Sequence, residues 1–214
     1  MKSFLKTNLS LILIACFSIA CSSKYSIKTV VREGSALSKF KTRGVLFRIP
    51  DNNYIALERF YTSLDAWIKS SHISGSIVSL PSVAGQIAYF KSESERFYQF
   101  SNEDESFLKY KSLGMISLWC RDNNAELTRL FAENKLDCLV IYEIESALSI
   151  EMQYIDFDSI IAIVDRDFNV SFLDYQKNGF EIRDIDSDLA EKHLLDKISE
   201  RFLEKMEDLK YLKR

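Results

Sequence analysis

Proline and glycine are scarce in this chain, at 2 and 6 of 214 residues, and no low-complexity run occurs. That excludes collagen-like and other compositionally biased architectures. Charged residues make up 28% and hydrophobic residues 47%, so a segment too polar to form a core is excluded as well. Histidine is scarcer still: only His72 and His193 occur, neither within a pattern such as H-E-x-x-H. With no patterned cysteines beside them, no zinc site is expected, and no cofactor. G-x-G-x-x-G and P-loop patterns are missing, which leaves nucleotide binding without support. A G-x-S-x-G elbow is missing too, so a hydrolase would have to assemble a dispersed site around His72 or His193.

Positive charge is in deficit overall, at a formal net of -3, but it is unevenly placed. Lys24, Lys28, Arg32, Lys39, Lys41 and Arg43 face only Glu33 across residues 22–44. Everything beyond is strongly acidic. An acidic body on a basic neck disfavours nucleic acid as a partner. The neck itself suits anionic headgroups.

The amino end carries Lys2 and Lys6, then an uncharged stretch, Leu9-Ser-Leu-Ile-Leu-Ile-Ala-Cys16-Phe-Ser-Ile-Ala-Cys21-Ser-Ser. As a helix, residues 7–20 would reach about 21 Å, short of the roughly 30 Å hydrocarbon slab. A basic start, a short apolar run and small residues at its end read as a cleavable signal peptide. The end of this leader resembles the lipobox of bacterial lipoproteins, in which an apolar residue and two small ones precede a modified cysteine. Ser18-Ile19-Ala20-Cys21 leaves the fuller apolar stretch and is followed by small Ser22-Ser23, but it has Ser where Leu is usual. Leu13-Ile14-Ala15-Cys16 matches at the leucine, but shortens the stretch and places Phe17 beside the cysteine. Cys21 is favoured as the lipidation site, with Cys16 as the alternative. The resemblance implies a diacylglyceryl thioether on that cysteine, with membrane lipid as the first partner, in the cell envelope and at its outer membrane. Each buried methylene contributes about 0.8 kcal/mol, so two or three chains would hold the protein durably where one would not. Residues 1–20 are thus read as signal peptide, 21–43 as a lipidated basic tether and 44–214 as a single domain.

Two further cysteines, Cys120 and Cys138, fall in that domain. Read as opposite ends of neighbouring parallel strands, they would lie on the order of 15 Å apart, too far to bridge. They are expected to be two separate buried thiols.

Hydrophobic spacing gives the elements. A strand is predicted from Gly44 to Pro50, then a helix to about Ser70 on Leu57, Phe60, Tyr61, Leu64, Trp67 and Ile68. A short strand follows from Ser76 to Leu80, and a less regular strand and loop over 86–106. Leu113 to Cys120 reads as a strand, Leu127, Leu130 and Phe131 as one helix face ending at Asn134-Lys135, and Leu136 to Ser146 as a strand. Together these predict a β-α-β unit. Strands are also expected over 151–157, 159–164 and 170–175. A final helix from Ser187 to Lys210 carries the stripe Leu195, Ile198, Phe202, Met206 and Leu209. The predicted fold class is α/β (or α+β): one mixed sheet packed by two or three helices, with a long C-terminal amphipathic helix. This order resembles the small α/β domain of envelope lipoproteins: the curli-secretion lipoprotein, the lipoprotein activator of penicillin-binding proteins and the TolB N-terminal domain. The local match runs from Ala125 to Ile144 through "AENKLD" into "CLVIYEIES". The resemblance implies an assembly or binding role, with an envelope protein as partner, and no catalytic residue.

Other candidate chemistry is thin. Asp165-Arg-Asp167-Phe-Asn169-Val-Ser171 opens like a calcium loop, but has Val170 where glycine is needed and Gln176 where the bidentate glutamate belongs. It is predicted to be a hairpin turn. Glu143 and Glu145 share one face of a strand and Asp156 and Asp158 flank Phe157; a solvated sheet face explains such carboxylates better than an acid/base pair. Tyr89, Phe90, Phe97, Tyr98 and Phe100 could line a groove, but core packing is the commoner use. The expected function is a non-catalytic, membrane-anchored binding or assembly role. A surface-exposed lipoprotein that binds external macromolecules is the alternative, and an envelope hydrolase a more distant one.

Overall fold

The computed structural model describes residues 26–32, 37–49, 54–87, 116–149, 154–181 and 187–211. In chain order these form β1 (Ser26–Arg32), β2 (Thr42–Arg48), α1 (Tyr54–Ser70), β3 (Ser76–Ser79), a 3-10 turn (Pro81–Val83), α2 (116–122) and α3 (Asn124–Glu133). Then follow β4 (Cys138–Ser149), β5 (Tyr154–Asp165), β6 (Val170–Glu181) and α4 (Ser187–Tyr211). The strands make one mixed sheet in the order β1-β6-β5-β4-β2-β3. β2 pairs in parallel with both β3 and β4, while β4, β5, β6 and β1 pair antiparallel in succession. The α/β class, the single mixed sheet and the long C-terminal helix are as the sequence predicts.

Alternation along the central strands divides the core in two. Val45, Phe47, Cys138, Val140, Tyr142, Ile161 and Ile163 face α1 and α4. Leu46, Leu139, Ile141, Ile160 and Ala162 face α2 and α3. Because β4 is covered on both sides there, Cys138 to Tyr142 reads as a continuous apolar run. Against the first face, Leu195, Ile198, Phe202, Met206 and Leu209 of α4 are all buried. Phe202 stacks on Tyr142 at 4.9 Å between ring centroids and meets Phe60 edge-on at 5.1 Å. Phe60 stacks in turn on Phe47 at 4.1 Å, so aromatic rings from β2, β4, α1 and α4 form one cluster. Glycine fits two close approaches, one to a buried side chain and one to backbone at positive φ. A Cβ on Gly44 would lie 2.5 Å from Leu136 Cδ1, and one on Gly75 (φ +94°) 2.3 Å from the Lys41 carbonyl oxygen.

Three expectations are corrected. The segment predicted as a strand over 113–120 is helical from 116: Ile116, Trp119 and Cys120 are buried whereas Ser117 and Leu118 are exposed, a helical spacing. The parallel pairs therefore run β2–β3 and β2–β4, and no β-α-β unit spans 113–146. Residues 154–157 and 159–164, predicted as parts of two strands, belong to one, Tyr154–Asp165, held in unbroken register against the twelve residues of β4. Lastly, β1 lies inside the segment read as tether and adds an edge strand against β6.

The thiols of Cys120 and Cys138 are free and buried, as expected, although the first sits on a helix. Asn123 precedes α3 without capping it through its side chain; its backbone N–H and its Nδ2 both donate to the Trp119 carbonyl, closing α2. At the other end Asn134 caps α3, and Lys135 takes a left-handed conformation (φ 52°).

Candidate binding groove

The connections around β2 depart in opposite directions. From β2 the chain crosses through α1 to β3 on one side, and from β3 it returns through α2 and α3 to β4 on the other. Such a reversal opens a crevice beyond the carboxyl ends of the parallel strands, where ligands of open α/β sheets collect. At this end of β2 lie Phe47 and Arg48. The Phe47 N–H donates to the Tyr61 hydroxyl of α1 at 2.9 Å. Arg48 is fully buried; its Nη2 donates to the Ile87 carbonyl, and its Nη1 lies 3.7 Å from Glu143 Oε2 on β4. The strand end thus anchors both walls of what lies outside it, α1 through Tyr61 and the 81–87 segment through Ile87.

Between those walls runs an open groove of about 640 Å³, within the size range of small-ligand and peptide sites. Tyr54, Leu57 and Tyr61 form its α1 side and Pro81 part of the opposite side. Glu58 and Asp65 are the charged residues among the described lining, and Asp65 Oδ1 accepts the Ser79 hydroxyl at 2.8 Å. Gln86 closes one turn by donating to the Ser82 carbonyl at 2.9 Å. Tyr54 is 79% exposed and its neighbour Ile55 57%. Burial raises the Tyr61 hydroxyl far above its ordinary pKa, against the opposing pull of the Phe47 N–H and Arg48. It is a neutral hydrogen-bonding group, unsuited to act as a base.

A second hollow of about 390 Å³ lies between α3 and the β5–β6 hairpin, lined by Phe131, Lys135 and Arg166. At that end Asp137 accepts the N–H groups of Lys41 and Thr42 at 3.1 and 2.9 Å and sits 3.3 Å from Arg166 Nη2. These hydrogen bonds, Thr42 first, hold its carboxyl below the usual carboxylate range against some desolvation.

The candidates from the sequence are not brought together. His72 is exposed just after α1, and the His193 side chain lies outside the described residues. Glu143 is not on a solvated face as predicted: it is 6% exposed and paired with Arg48. The Glu145, Asp156 and Asp158 side chains lie outside the described residues, although Glu145 and Asp158 are cross-strand neighbours by register. Cys16, Cys21, Tyr89, Phe90, Phe97, Tyr98 and Phe100 lie outside them altogether. Residues 165–169 form the predicted hairpin turn. Asp165 Oδ1 accepts the N–H groups of Asp167 and Asn169, and Phe168 adopts φ 61°. Its carboxylate therefore serves the turn. Among the described residues no group of three or more His, Cys, Asp or Glu is placed to hold a metal, and no helix is long and apolar enough to cross a membrane. Sequence reasoning missed Tyr54, Glu58, Asp65 and the buried Arg48. Only Arg48 carried a signal, as a charge inside the apolar run Val45 to Ile49.

No known protein family matches the chain, and no curated protein does. Among solved structures, the PelC dodecamer from Paraburkholderia phytofirmans is similar with a TM-score of 0.44 at 8% identity, over 89% of this chain and 100% of that one. A point variant of the same PelC gives 0.40 at 10% identity, over 83% and 96%. Lipoprotein GNA1162 from Neisseria meningitidis gives 0.33 at 12% identity, over 76% and 96%. Likeness at this distance places the chain in no family.

Proposed function

We propose that the chain is an envelope lipoprotein, held at the outer membrane by acyl chains on Cys21, whose α/β body binds an envelope protein and catalyses nothing. The groove carries the binding half of this reading. It opens at the strand reversal, is walled by tyrosines, and among the described residues is lined by neither histidine nor cysteine. The basic start, short apolar run and Ala20-Cys21-Ser22 of the leader support the anchor.

Intact mass spectrometry of the mature amino terminus from a detergent-extracted membrane fraction tests the anchor. Two or three acyl chains on Cys21, lost in Cys21→Ala, are expected; acylation at Cys16 moves the site, and an unmodified terminus removes the anchor. Affinity recovery from crosslinked membranes tests the binding role, which fails if no envelope protein is reproducibly recovered. Protease treatment of intact cells separates a periplasmic location from the surface-exposed alternative.

A further inference from the structure

We infer that the groove between α1 and the 81–87 segment docks a basic, extended segment of the protein partner, with Glu58 and Asp65 receiving its lysine or arginine side chains beside Tyr54. This deepens the binding role proposed above and rests on it. Charge complementarity decides the class of occupant. Among the described residues that line the groove the charges are both negative, and the guanidinium of Arg48 is buried behind it in the contact with Glu143. Asp65 has a hydroxyl partner, but Glu58 has no ion-pair partner among the described residues. Tyr54 and Ile55 are two of the three exposed large hydrophobic residues among those described, and Tyr54 lines the groove. An exposed aromatic beside carboxylates suits the aliphatic stem and cationic head of lysine or arginine. Solvent-exposed aromatics of this kind also anchor protein interfaces.

The dimensions favour a peptide segment over a lone amine. From Tyr54 to Asp65 the groove follows α1 for about 16 Å at 1.5 Å per residue. An extended chain covers that length with about five residues. Glu58 and Asp65 are two helical turns apart, about 10 Å along the axis. That matches basic residues three apart in an extended, polyproline-II-like segment, which rises about 3.1 Å per residue and returns to the same face every third residue.

The test is fluorescence anisotropy of the full mature protein with a labelled seven-residue serine/alanine peptide carrying lysine at its second and fifth positions. Binding that weakens with added salt is expected, reduced at least tenfold by Glu58→Gln with Asp65→Asn and several-fold by Tyr54→Ala. The same peptide with glutamate for lysine should not bind. Unchanged melting of these surface variants establishes that the fold is intact. Equal binding by wild type and double variant, or no binding by either, overturns the inference. So does competition by spermidine as effective as by unlabelled peptide, because the site would then take small amines. Recovery of the crosslinked partner by the double variant at wild-type yield overturns the groove as docking site but leaves the binding role standing; only failure of wild type to recover any partner removes that role.

Discussion

Tyr61, in the middle of α1, holds the backbone of Phe47 by accepting its N–H at 2.9 Å. Helix and strand are fixed to one another at the point where β2 ends, so the groove has one rigid wall. Removing only the acceptor in Tyr61→Phe leaves a buried N–H unpaired and should cost about 1–3 kcal/mol. Urea denaturation should show a lower midpoint with an unchanged slope. A midpoint equal to wild type would mean that the hydrogen bond contributes nothing.

Arg48 and Glu143 answer one another across β2 and β4, directly opposite in the register. Loss of Glu143 leaves the buried Arg48 without the carboxylate opposite it, so Glu143→Leu alone should destabilise by about 3–5 kcal/mol. Arg48→Met together with Glu143→Leu removes both charges and should cost clearly less than the sum of the single changes. A double-mutant cycle measures this coupling, and additive costs would show that the pair acts as two independent groups.

How far the sequence discloses this structure depends on the element. α1 and α4 are legible because their apolar residues recur at helical spacing on one stripe, and β4 because nine-residue Leu136 to Ile144 is apolar almost throughout, interrupted by Asp137 and Glu143. The segment over 116–120 misleads because Ile, Leu, Trp and Cys in five positions suit a strand by composition; only burial shows Leu118 facing outward. β1 is hidden by its basic residues, Lys28 and Arg32, which an edge strand tolerates as well as a tether does. The groove is illegible for a different reason: α1 and the 81–87 segment meet only after β3 has paired with β2, and no local pattern records that contact.

Asp137 gives the fold an acid-sensitive joint. Its carboxyl is held below the ordinary value chiefly by the Thr42 N–H, with the Lys41 N–H and then Arg166 contributing less. A group whose pKa is depressed in the folded state stabilises above its unfolded pKa and loses that contribution as the pH falls through the folded one. Asp137→Asn should therefore be less stable than wild type at pH 7, by about 1 kcal/mol. The gap should begin to narrow near pH 4, the ordinary aspartate range, and shrink further below it. Thermal melts of both proteins from pH 7 to pH 2.5 check this, and parallel curves throughout would remove Asp137 as the cause.

The two buried thiols contribute to the loss of stability at alkaline pH. Burial pushes both Cys120 and Cys138 up to about 12, and for Cys138 the Arg43 guanidinium opposes the shift without cancelling it. A thiol protonated in the fold but ionised in the unfolded chain stabilises fully below its unfolded pKa, and that contribution disappears as the pH rises from there toward the folded one. Stability should accordingly decline from about pH 9 upward. Nucleophilic attack requires the thiolate, so at pH 8 neither position should react with iodoacetamide in the native state, while both should react in urea. Peptide mapping of the alkylated protein distinguishes them from Cys16 and Cys21. Rapid native labelling at Cys138 would contradict its burial beneath α4, and labelling at Cys120 alone would show that α2 opens locally without unfolding the sheet.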